Sequence, residues 1–68
     1  MSKLNRCKDM IRATLCLHKE SFDLIDQVDR ISNIGQIYEL LQQTENVPLG
    51  YTYQRIDKIM GDVTNGTD

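Results

Sequence analysis

Apolar residues recur through the first thirty positions at the spacing of a helix. Leu4, Cys7, Ile11, Leu15, His18, Phe22 and Ile25 follow one another at intervals of three or four, which stacks them on one face. A second row, Met10, Leu17, Leu24 and Ile31, repeats every seven residues, with Val28 beside it. Two rows make a wider apolar face than a helix with one solvent side requires. The pattern predicts helix over 3–31, covered on two sides. No glycine or proline precedes Gly35 to interrupt it.

Whether this stretch is one rod or two helices stays open. Ser2 suits an N-cap, because its hydroxyl can accept an N–H from the first turn. Ser21 could cap a second helix, with Asp23 near the positive end of its dipole. A break at about 18–21 gives an antiparallel hairpin; without it, a long helix would need a partner chain.

Ser32 and Asn33 are good N-cap residues and mark the next boundary. After them Ile34, Ile37, Tyr38 and Leu41 fall at i, i+3, i+4 and i+7, an amphipathic helix. Val47-Pro48-Leu49-Gly50 suits a type I turn, and Pro48 disfavours helix at Val47. Thr52 would then cap a last helix burying Tyr53, Ile56, Met60 and Val63, with Gly61 as its stop. The expectation is an all-α fold with helices at about 3–18, 21–31, 34–44 and 52–61. The first two are possibly one long helix, and the whole forms a hairpin or small bundle. Residues 1–61 form one domain and 62–68 a flexible tail.

Chain length sharpens the meaning of the wide apolar face. A chain of 68 residues buries only about 60% of its unfolded surface, so a lone core is marginal and oligomerisation is a common remedy. Disulfides do not offer another. On one helix Cys7 and Cys16 would sit about 13.5 Å apart along the axis and on opposite sides, beyond the reach of a bridge. Both thiols read as small, semi-buried apolar residues in a reducing compartment. There is no secretory signal and no stretch of about 20 apolar residues, so a cytoplasmic protein without membrane contact is expected.

Charge is unevenly spread. Residues 1–19 hold five cations against one acid, and residues 20–68 hold three cations against nine acids. Arg6, Lys8 and Arg12 precede the possible break, while Glu20, Asp23, Asp26 and Asp29 follow it. Antiparallel pairing would set basic beside acidic, choosing orientation more than supplying stability.

Candidate chemistry is sparse. The soft ligands Cys7, Cys16 and His18 lack metal-binding spacing, so no metal site and no cofactor is expected. Asp23, Asp26 and Asp29 recur every three residues, but three turns of helix cannot converge on one ion. His18 lies on the apolar stripe, without a nucleophile elbow or an activated cysteine. The four glycines are scattered and form no phosphate loop. Enzyme is thus the least favoured class.

Two binding readings remain. The first is a small regulatory protein, expected as a homodimer, that binds and modulates a larger protein such as a transcriptional regulator, with inhibition the expected mode. Its contact candidates are Tyr51, Tyr38, Met10, Leu17 and Leu24, since tyrosine and methionine are enriched in interface cores; Tyr51, at a loop–helix junction off the main stripe, is the leading anchor. The second is a small DNA-binding regulator using Gln54, Arg55 and Lys58 or the basic first helix through Arg6 and Arg12. Against it stand the negative overall charge and a connection longer than that of a helix-turn-helix.

Overall fold

The computed structural model describes residues 2–61, which form four helices: α1 (Lys3–Leu17), α2 (Phe22–Val28), α3 (Ile34–Leu41) and α4 (Leu49–Met60). No strand occurs among the described residues. The all-α class is as the periodicity predicts. The expected tail at 62–68 lies outside the described residues.

Local chemistry sets the boundaries. The Ser2 hydroxyl accepts the Asn5 N–H at 3.1 Å, the Ser21 hydroxyl accepts that of Leu24, and Asn33 Oδ1 accepts that of Gln36, so three short polar side chains satisfy otherwise orphaned donors. The 3–31 stretch breaks where Ser21 allowed. Lys19 takes a left-handed conformation, φ 59°, and the Glu20 and Lys19 N–H groups bond back to the carbonyls of Leu15 and Cys16. This is a Schellman closure built without glycine.

That break resets the register. In one continuous helix Phe22 would share the stripe of Leu15 and His18. In the restarted α2 it is Leu24 and Val28 that face inward, followed by Ile31, while Phe22 is 87% exposed. The expectation that Phe22 is buried is thus corrected. α2 and α3 also end earlier than expected, at Val28 and Leu41, each followed by a tight turn.

α4 begins three residues before Thr52. Pro48 stands at its N-cap with no side-chain cap bond; its fixed φ and missing N–H suit a helix entrance. Thr52 is a buried residue inside the helix, and its hydroxyl donates to the Pro48 carbonyl at 2.9 Å. Gly61 ends α4, where an added Cβ would lie 2.9 Å from the Asp57 carbonyl oxygen.

The core contains Cys7, Met10, Ile11 and Leu15 of α1, Leu24 and Val28 of α2, Ile37, Leu40 and Leu41 of α3, Ile56 of α4, and Ile31 and Val47 between helices. α1 contacts all three other helices. Two polar tethers fix the arrangement. Lys3 Nζ donates to the Met60 carbonyl, placing the start of α1 beside the end of α4. At the opposite end the Glu20 carboxylate accepts the Glu45 N–H at 3.1 Å and the Asn46 N–H at 2.6 Å, tying the α3–α4 loop to the α1–α2 turn. α4 therefore runs antiparallel to α1. Most of the wide apolar face is covered within this one chain, contrary to the expectation that one chain could not hide it.

Candidate functional site

The apolar side chains left outside the core are the starting point. Leu17 is 76% exposed, Phe22 87% and Tyr51 62%. Leu17 ends α1, Phe22 starts α2 and Tyr51 lies in the first turn of α4, so all three gather at the end of the molecule held by Glu20. Phe22 faces the α2 side, where it lines a groove with Arg12, Ile25, Asp26 and Asp29, so Leu17 and Tyr51 are the exposed large apolar residues on the α1 and α4 side of this end.

From this end the surface continues along the edge between α1 and α4. On α1, Arg6, Met10, Ala13 and Leu17 follow at i, i+4, i+7 and i+11 and share one side of the helix. On α4, Tyr51, Arg55 and Lys58 do the same, with Gln54 beside them. α1 and α4 are in contact and antiparallel, so helical spacing places the two rows on neighbouring helices that run in opposite directions. Met10, buried, is where α1 presses inward, while Arg6, Ala13 and Leu17 remain exposed. On α4, Tyr51, Gln54, Arg55 and Lys58 are all exposed.

Electrostatics separate this edge from the rest of the molecule. The Arg55 guanidinium sits 5.8 Å from the centre of the Tyr51 ring, a cation–π contact that holds charge over the aromatic face. Among the described residues no carboxylate pairs with Arg55 or Lys58. The described acids are committed elsewhere or lie on other sides. Asp9 and Asp29 both bind Arg12, Asp26 lies 3.9 Å from Arg30, and Asp57 accepts the Tyr38 hydroxyl at 3.2 Å.

The candidate residues divide accordingly. By helical position Tyr51, Leu17, Gln54, Arg55, Lys58 and Arg6 fall on the exposed rows of α1 and α4, with Arg55 and Tyr51 in contact, although the sequence pattern had divided them between a protein-binding set and a DNA-binding set. Arg12 does not join them: it turns to the α2 side, and its hydrogen bond to Asp29 is the main cause raising its pKa. The pairing of basic α1 with acidic α2 is thus realised by Arg12 and Asp29. Lys8 instead reaches the turn that follows α2, donating to the Ile31 carbonyl at 2.9 Å. Met10 and Leu24 are core residues. Tyr38 is half-buried, its ring 5.3 Å from that of Tyr53; burial, then the charge and hydrogen bond of Asp57, raises its pKa. None of these three presents a free anchor.

Phe22 was missed as an exposed residue. The signal for it was Ser21: a helix restarted there places positions 24, 28 and 31 inside and leaves 22 out. The cysteines also differ from expectation. Cys7 is wholly buried, and that burial pushes its thiol pKa up, whereas Cys16 is exposed.

Other surface features point to no chemistry. Among the described residues no three of His, Cys, Asp and Glu are placed to hold a metal ion, and no helix is long and apolar enough to cross a membrane. The grooves elsewhere are open, one lined by Gln27, Arg30, Gln36, Glu39 and Gln43, another by Arg12, Phe22, Ile25, Asp26 and Asp29. No protein-family model, curated protein or solved structure matches the chain.

Proposed function

We propose that this chain is a small regulatory protein, not an enzyme, that binds a larger protein through the α1–α4 edge and modulates it, a transcriptional regulator being the expected kind of target. The observation that carries the reading is the placement of Leu17 and Tyr51. Both are large, apolar and exposed, and apart from buried Met10 the rows they belong to face outward. A rigid aromatic anchor with an adjacent arginine is the usual make-up of an interface hot spot.

The homodimer belongs to this reading only in part. A twofold contact made edge to edge would bring the cations of both copies' edges, Arg55 and Lys58 among them, into one interface, and like charges in an interface cost free energy. A dimer that leaves the edge free would use the Phe22 side.

The test compares proteins retained from a lysate by the immobilised chain and by a Leu17→Asp/Tyr51→Asp variant whose helical circular dichroism is unchanged. A partner retained in stoichiometric amount by the native chain and lost by the variant supports the reading. Equal retention by both removes it. The DNA-binding alternative draws on the same Gln54, Arg55 and Lys58. It requires retardation of duplex DNA at low salt that disappears as salt rises.

A further inference from the structure

We infer that the occupant of the α1–α4 edge is an acidic amphipathic helix of another protein, an inference that rests on the protein-binding reading above. Three features of the edge select that chemistry.

The first is charge. Arg6, Arg55 and Lys58 line the edge, with Lys3 at its far end, and neither Arg55 nor Lys58 meets a carboxylate among the described residues. An occupant bearing aspartate or glutamate would gain from Arg55 and Lys58, and a basic one would lose. The second is the distribution of apolar surface. Leu17 and Tyr51 lie at one end, and half-buried Ile59 lies towards the other. The row from Arg6 to Leu17 spans about 16 Å, or three helical turns. An occupant therefore needs apolar side chains recurring every three or four residues along that length.

The third is backbone chemistry. An extended peptide draws affinity from main-chain hydrogen bonds to a sheet edge, but both walls here are helices whose N–H and C=O groups are already paired. A helix satisfies its own backbone and packs into the furrow between two others by side chains alone. A second copy of this chain fits poorly. Its acidic helix α2 has only seven residues, and Leu24 and Val28 are spent in its own core. Duplex DNA would find cations here, but no use for the exposed Leu17 at the end of α1's row.

The experiment follows backbone amide NMR shifts of the full chain at low salt with four probes. Three are peptides four helical turns long with leucines three and four apart, carrying glutamate, glutamine or lysine between them; the fourth is duplex DNA. The expected result is that the glutamate peptide moves Ala13, Leu17, Tyr51, Arg55 and Lys58. It should bind about tenfold more tightly than the glutamine peptide, an advantage lost in an Arg55→Glu/Lys58→Glu variant. Equal binding of the glutamate and glutamine peptides overturns the inference while leaving a protein-binding edge. DNA moving these amides when no peptide does overturns both. Shifts of the same amides with protein concentration alone identify a second copy as the occupant and overturn the inference, as does the absence of any shift with the glutamate peptide.

Discussion

Replacing Glu20 by alanine tests what holds together the ends of α1 and α4 that carry Leu17 and Tyr51. The Glu20 carboxylate accepts the N–H groups of Glu45 and Asn46 at 3.1 and 2.6 Å and thereby docks the loop that launches α4 onto the turn that ends α1. A hydrogen bond to a charged acceptor contributes about 1.5–3 kcal/mol. Glu20 is only half-buried, so solvent takes over part of that role when it is lost, and the two bonds together amount to about 2 kcal/mol. For a domain of this size each kcal/mol moves Tm by about 4–8 °C, which gives a fall of about 10 °C for Glu20→Ala. Glu20→Gln keeps a neutral acceptor oxygen and should recover about half of the loss. The assay is urea and thermal unfolding followed by circular dichroism, with the m-value checked to be constant. A Glu20→Ala variant within about 0.5 kcal/mol of the native chain, the range of ordinary surface substitutions, would refute the tether.

Lys19 in its left-handed conformation costs what glycine would not, so Lys19→Gly should raise stability by about 0.5–1 kcal/mol in the same unfolding assay. Phe22→Ser should leave stability within about 0.5 kcal/mol, whereas Ile11→Ala, at a fully buried position, should lose about 2–5 kcal/mol and bring a marginal domain close to unfolding. The two thiols should titrate with an aromatic disulfide reagent in two steps. Exposed Cys16 reacts in the native chain and buried Cys7, whose thiol pKa burial raises, only after denaturant is added. Simultaneous reaction of both would mean that α1 is not packed as described.

The fold was legible where the deciding interactions are local. Ser2, Ser21 and Asn33 cap helices through bonds to residues three positions on, and such bonds are written in adjacent letters of the sequence. Register across the break was not. Phe22 fits the stripe of Leu15 and His18 only if the helix is unbroken, and the Lys19 turn that breaks it carries no glycine to announce it. The start of α4 was misread because proline ends helices at the residue before it and also opens them; tertiary packing of Thr52 and Ile56 decided for the second. The binding residues were legible as residue types but not as a group. Helical spacing sets Arg6 and Arg12 about 120° apart around α1, but nothing in sequence says that the Arg12 flank is the one that meets Asp29. That division follows from which flank of α1 each neighbouring helix takes.

Hydrogen–deuterium exchange of the chain, alone and saturated with the protein it retains, tests the proposed interaction most directly. The account predicts added protection at residues 13–17 and 51–58, with residues 22–43 exchanging as before. Protection confined to α2 and α3, with Leu17 and Tyr51 unchanged, would contradict it.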